Sequence, residues 1–250
     1  IMIISINKIR FILLTIVFIG FNSYSQEINP EDTEVWTPVP AIIEVKNIWQ
    51  PPSDAIVLFD GSNLNEWQHN DLSEAKWSIE KNSMLVNPGT GNIFTKKEFK
   101  DVQLHIEWKT PTIITGDGQN RGNSGIFFQK RYELQILDSY ENSTYANGQA
   151  ASIYKQYSPM VNASKAPGEW QTYDVIFIAP KFDKSGKIIS KAEMTVFHNG
   201  VLVHNRSIIQ GTTVYRGKPS YISHSERQPI MIQDHSNPIA FRNIWIRELN

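Results

Sequence analysis

Short alternating runs, each closed by a turn signal, limit the folds open to this chain. From Val102 to Trp108, Val102, Leu104, Ile106 and Trp108 fall on one side and Gln103, His105 and Glu107 on the other. That period of two marks a strand with one face in a core. Ile56 to Phe59 stops at Asp60-Gly61. Trp77 to Ile79 and Met84 to Val86 flank Lys81-Asn82-Ser83, which reads as a hairpin. Ala192 to Phe197 and Val201 to Val203 flank Asn199-Gly200, the favoured pair for a two-residue hairpin turn. Gly125 to Gln129, Tyr132 to Leu137, Trp170 to Ile178, Pro229 to Gln233 and Phe241 to Leu249 continue the series. Long helical periodicity is absent beyond the first 25 residues. The expected class is all-β, a two-sheet antiparallel jelly-roll sandwich.

Composition removes several functions. A net charge of −1 supplies no field to hold nucleic acid or an anionic membrane. Zero cysteines exclude a disulfide framework, a thiolate nucleophile and a Cys-ligated metal. Seven Trp suit a sugar cleft or a sandwich core equally well. Residues 1–25 carry Lys8 and Arg10, an apolar stretch from Phe11 to Phe21 and a small-x-small site at Ser23 to Ser25. They read as a cleavable signal peptide that leaves no stable membrane anchor, so the expected location is periplasmic or secreted. Residues 26–53, with five prolines, read as an extended arm, with Trp36 and Trp49 as candidates to pin it to the domain surface. Residues 54–250 form the domain. Trp108, Trp170 and Trp245 each lie in an apolar alternation and are expected in the core.

The segment Asn123 to Asp138, NSGIFFQKRYELQILD, places Glu133, Gln135 and Asp138 at i, i+2 and i+5. A strand puts the first two on one face. One bulged residue after Gln135 would add Asp138. Such a wall suits acid/base work on a sugar. The same spacing also fits an edge strand with a solvated polar face.

LFDGSNLNEW (58–67), NSGIFF, YELQILD, ASIY (151–154), EWQTYDV (169–175), VFHNG (196–200), IQDH (232–235) and FRNIWIREL (241–249) occur in that order. Together they resemble the 3-keto-disaccharide hydrolase domain family over roughly residues 55 to 249. The resemblance implies a fold like the concanavalin A-like lectins and glucanases. Glu133-x-Gln135-x-x-Asp138 has the spacing of the Glu-x-Asp-x-x-Glu strand of laminarinase-like relatives, with softened residues. Ser236 stands where the family leads us to expect Gly, and Gln171 where Asn is more usual.

The resemblance also implies a chemistry. A ketone at C3 makes the C2 proton acidic, and the C1 oxygen can then leave by elimination, with water adding back. The site needs a base near C2, a stabiliser for the enolate and an acid near the leaving oxygen. An imidazole titrates near neutrality, which makes His235 the candidate base. Glu133 and Asp138 are the candidate carboxylates. Arg121 is a candidate to oppose developing charge. Asn123, Gln135 and Gln233 are candidates to hold hydroxyls, and Tyr154 to stack on a ring. A divalent cation, calcium or a transition metal, is compatible with His235, Asp234, Glu133, Asp138 and His105. The partners expected are a carbohydrate substrate and, functionally, a sugar 3-dehydrogenase that supplies the keto group. A non-catalytic carbohydrate-binding module and an ordinary glucanase are the alternatives.

Overall fold

The computed structural model describes residues 29–47 and 50–249. The proposed signal peptide and Trp49 lie outside them. The chain divides after Ile42. In the first unit a single turn of 3-10 helix spans Pro30–Thr33. Trp36 is exposed and donates its indole N–H to Glu34.

The main unit is built of strands: β1 (Ile56–Phe59), β2 (Trp67–Gln68), β3 (Ser78–Glu80), β4 (Ser83–Leu85), β5 (Ile93–Thr95), β6 (Val102–Lys109), β7 (Asn123–Phe128), β8 (Tyr132–Leu137), β9 (Gln171–Ile178), β10 (Lys181–Phe182), β11 (Ile188–Ser190), β12 (Glu193–His198), β13 (Val201–Ile208), β14 (Met231–Ile232) and β15 (Ala240–Glu248). An eight-stranded sheet runs β13-β12-β9-β6-β15-β4-β3, with β1 also on β15, and a five-stranded sheet runs β2-β5-β14-β7-β8. The pairings are antiparallel throughout. The two layers make the expected jelly-roll sandwich.

Turn chemistry sets the hairpins. Lys81 and Asn82 have φ of 49° and 59°, and Asn199 and Gly200 have 53° and 79°. Both pairs are two-residue turns with positive φ at each centre, as the strand twist demands. The core lies between the sheets. Phe177 of the large sheet stacks on Phe128 of the small one at 4.8 Å, and the Tyr173 hydroxyl donates to the Gln135 carbonyl at 2.8 Å. Val102, Leu104, Ile106 and Trp108 all point into this core, as their alternation predicts.

The opposite face of β6 is covered as well: β6 is a central strand, and His105 and Glu107 are both buried. His105 Nδ1 meets Asp174 at 2.7 Å, and Glu107 accepts from Arg242 at 2.6 Å and Asn243 at 2.9 Å. A register shift between Arg242 and Trp245, with Asn243 at φ 47°, turns these residues outward. Trp245 therefore stacks on His105 at 5.2 Å, and half-buried Trp170 lies 4.1 Å from the Arg242 guanidinium. Of the three tryptophans expected in the core, Trp108 joins the cluster between the sheets, Trp245 is buried on the opposite face of its sheet, and Trp170 is only half-buried.

Burial disfavours charge on His105, but Asp174 and Glu107 outweigh it and lift its pKa to about 9. Burial also opposes charge on Glu107, yet His105, Asn243 and Arg242 bring it down to about 2. A raised imidazole pKa stabilises the fold fully below its unfolded value, near 6.5, and that contribution fades as pH rises through about 9. Urea unfolding should find His105→Gln less stable than wild type by about 1–3 kcal/mol at about pH 6, with the gap closing at about pH 10. A gap that does not depend on pH would refute this assignment.

Candidate active site

The site grows from the β7–β8 hairpin. Its turn has Gln129 and Lys130 at φ 51° and 59° and closes with Arg131 N–H to the Phe128 carbonyl at 3.0 Å. Arg131 is the unpaired extra residue. Beyond it the ladder runs without a shift from Phe128↔Tyr132 to Asn123↔Leu137. Ile126, Phe128, Tyr132, Leu134 and Ile136 enter the core. Asn123, Gly125 and Phe127 of β7, with Glu133 and Gln135 of β8, therefore share the face turned away from it.

On this face lies a hollow of about 510 Å³, a size typical of small-molecule sites. Among its lining residues are Asn123, Glu133, Gln135, Tyr154, Gln233 and His235, six of the eight candidates named from sequence. Gln233 follows β14 and is fixed by its own N–H to the Gly125 carbonyl at 2.9 Å and by the Ser124 hydroxyl on its carbonyl at 2.7 Å. His235 is held from its neighbours. Asp234 accepts from the Gly89 and Gly91 N–H groups at 2.8 and 2.9 Å, and Asn237 accepts from the Asn123 N–H at 2.8 Å. Between them Ser236 has φ 61°, a conformation that favours glycine. That is a physical reason for the glycine expected there.

Asp138 and Arg121 are corrections. No bulge follows Gln135, so Asp138 lies past the strand end and off the Glu133 face. Its carboxylate takes Arg121 Nε at 2.7 Å, with both residues buried. The Arg121 Nη atoms donate to the Tyr140 and Glu141 carbonyls. The pair serves the loop after β8 and lines a separate hollow beside Pro111 and Ile113.

Glu133 lies beside Gly125. A Cβ on Gly125 would come within 2.9 Å of Glu133 Oε1 and of the Phe127 ring, so the missing side chain makes the room for the carboxyl. Burial alone pushes the Glu133 pKa up to about 8. The Gln135 amide reaches Gln119 and Gly148 in one orientation. Turned over, its NH2 donates to Glu133 Oε1 at 3.3 Å and to the Ser124 carbonyl at 2.9 Å.

Loops complete the hollow and bring residues the sequence reading missed. Segment 151–154 pairs along the outer edge of β8, including Tyr154 N–H to the Glu133 carbonyl at 3.2 Å. This covers what would otherwise be a bare edge. The Tyr145 and Tyr154 hydroxyls meet at 2.6 Å. Thr213 accepts the Glu133 N–H at 3.1 Å, and Lys155 Nζ donates to the Tyr215 carbonyl at 2.7 Å, 4.2 Å from the Tyr215 ring. Tyr154 is an aromatic among polar residues, and so are Tyr145 and Tyr215, which is the local signal that could have found them. His105, a candidate metal ligand, sits on the other sheet. Among the described residues no three acidic, His or Cys side chains gather as a cation site.

The 3-keto-alpha-glucoside-1,2-lyase-like domain family matches residues 54–247. A crystal structure of a candidate glycosyl hydrolase from Parabacteroides distasonis ATCC 8503 superposes with a TM-score of 0.85. It is 46% identical over 89% of this chain and 97% of that one. Two further candidate glycosyl hydrolases from the same organism, each 21% identical, reach TM-scores of 0.58 and 0.54 and show the fold. The first covers 79% of this chain and 94% of its own, and the second 78% and 99%. No curated protein matches this chain.

Two substitutions separate site from scaffold. Gly125→Ala displaces the free end of a side chain, so activity should fall about 10- to 100-fold while the melting midpoint barely moves. Equal loss of both would contradict the packing described. Arg121→Leu strands a buried carboxylate and should cost about 3–5 kcal/mol in denaturant unfolding. At temperatures where the variant stays folded, its KM should match wild type.

Proposed function

The chain belongs to the 3-keto-alpha-glucoside-1,2-lyase-like domain family, and from that we propose that it cleaves 3-keto-glycosides by elimination followed by hydration. The observation that carries the reading is the Glu133 carboxyl, lifted by burial to about 8 and set in the same hollow as His235. A carboxyl so placed is protonated at neutral pH and can act as an acid.

The steps follow from the groups present. His235 takes the C2 proton, and the electron pair moves into the C3 carbonyl as an enolate. Lys155, with the Tyr145 and Tyr154 hydroxyls, opposes the charge on that oxygen. The enolate collapses, the C1–O bond breaks, and Glu133 gives its proton to the departing oxygen. Water then adds to the enone. Its oxygen bonds C1, Glu133 recovers a proton from it, and His235 returns one to C2. Atoms and charge balance, and the sum is hydrolysis. The keto sugar must be supplied by a reaction that oxidises a glycoside at C3. The N-terminal segment, read as an export signal, would place this chemistry outside the cytoplasm.

An ordinary glucanase is the weaker reading. It needs two carboxyls facing across one glycosidic oxygen, about 5–5.5 Å apart when configuration is retained. Among the described residues lining the hollow, Glu133 is the one carboxyl, and Asp138 is spent on Arg121.

Nitrophenyl 3-keto-glucoside and the unoxidised glucoside, assayed side by side, decide the matter. Release is expected from the first alone. Glu133→Gln and His235→Ala should each lower kcat about 100-fold or more. The rate should decline as pH rises through about 8, the point at which Glu133 loses its proton. Equal release from both substrates, or a Glu133→Gln variant of wild-type rate, would overturn the reading.

A further inference from the structure

One buried amide faces the Glu133 carboxyl. Gln135 lies on the same face of β8 and is 1% exposed. One terminal atom of its amide stands 3.3 Å from Glu133 Oε1 and 2.9 Å from the Ser124 carbonyl. The other stands 3.0 Å from the Gln119 amide and 3.3 Å from the Gly148 carbonyl. Gln119, in the 3-10 turn Gly118–Asn120, also faces Thr144 Oγ1 at 3.1 Å and the same Gly148 carbonyl at 2.9 Å. The NH2 of one amide must meet the oxygen of the other, so the two turn together.

This pair has two settings. In the first, both NH2 groups point to Gly148, and the Gln135 oxygen is left against the Ser124 carbonyl. In the second, Gln135 donates to Ser124, and both amide oxygens face Gly148. The Thr144 hydroxyl accepts from Gln119 in the first and donates to it in the second. Each setting bonds one backbone carbonyl and sets amide oxygen against the other, so the backbone leaves the choice to Glu133. The first setting shows the carboxyl a C=O, which needs a protonated partner. The second shows it an N–H, which suits a carboxylate.

Other ionisable groups around Glu133 come from the loops. They are Tyr145, Tyr154 and Lys155 after β8, Tyr215 after β13 and His235 after β14. Burial raises Tyr145 and Tyr154, so both phenols keep their protons. Lys155 Nζ is bonded to the Tyr215 carbonyl. β7 brings Asn123, Gly125 and Phe127 to this face, none of them ionisable.

We infer that Gln135 is a positioning residue whose amide, coupled to Gln119, turns over with the proton of Glu133. The inference rests on the reading that Glu133 gives a proton to the departing oxygen and recovers one from water. A fixed C=O would hold the proton on the carboxyl, and a fixed N–H would hold it off. A turning amide stabilises both forms, so one carboxyl serves as acid in the elimination and as base in the hydration. Rotation about the last bond of a glutamine is soft and needs no backbone movement.

Neutron diffraction separates amide nitrogen from oxygen and shows the deuterons that X-rays miss. Crystals of the full chain are compared at about pH 6 and about pH 10, either side of the Glu133 midpoint. Gln135 should turn its oxygen to a deuterated Glu133 at the lower pH and its ND2 to the bare carboxylate at the higher, with Gln119 turning likewise. Glu133→Gln, which cannot titrate, should keep one setting at both. An amide that stays put beside a carboxyl that does lose its deuteron overturns the inference and leaves the acid reading standing. An unmoved amide beside a carboxyl already bare at the lower pH overturns both. Gln135→Met fills much the same space without donor or acceptor. In that variant the Glu133 midpoint, followed by 13C NMR, should rise by about one pH unit or more because the carboxylate loses its donor. The alkaline limb of the pH–rate profile should move with it. A lower rate with both midpoints unmoved would mean a merely structural role and would sink the inference.

Discussion

The register of the β7–β8 hairpin decides which of its side chains face the cleft and which enter the core. Three residues after Phe128 make the turn, one of them unpaired, and from there the ladder is regular. A slip of one residue would send Glu133 and Gln135 into the hydrocarbon layer and bring Leu134 and Ile136 to the surface. The core residues on alternate positions of both strands oppose that slip. The Tyr173 hydroxyl adds to this from the other sheet by bonding the Gln135 carbonyl. The same packing that makes the sandwich stable therefore aims its polar residues.

Two buried carboxyls near one another on the chain meet opposite fates. Asp138 is paired with Arg121 and stitches the following loop to the fold. Glu133 has burial with no compensating cation beside it, and its pKa rises to about 8. The first arrangement is scaffold, and the second holds a proton ready where water is scarce. Separating them also withdraws the second carboxyl that a conventional glycosidase would need.

The layer architecture was legible because alternation and turn pairs such as Asn199-Gly200 depend on local geometry alone. The face of Glu133 was legible for the same reason. Asp138 was misplaced because the irregularity in the hairpin sits at Arg131, and nothing local distinguishes the two positions for an extra residue. Trp245 was misread because a bulge at Asn243 reverses sidedness midway along a strand that looks regular on paper, and Trp170 because β9 turns Gln171, Tyr173, Val175 and Phe177 inward and leaves position 170 on the other parity. Lys155 and Thr213 went unseen because their loops reach the site through contacts with β8 and the β7–β8 turn that no short-range pattern encodes.

The cleft has two sides of different character. Its floor is sheet, with side chains whose direction the pleat dictates. Its roof is made from the 139–158 and 209–221 stretches, joined by Lys155 reaching across to Tyr215 and moored to β8 by a handful of backbone bonds. Insertions or exchanges in those stretches can reshape the entrance while the side chains on the sheet below keep their positions. Such a chain can therefore vary what its opening admits without disturbing the sheet beneath.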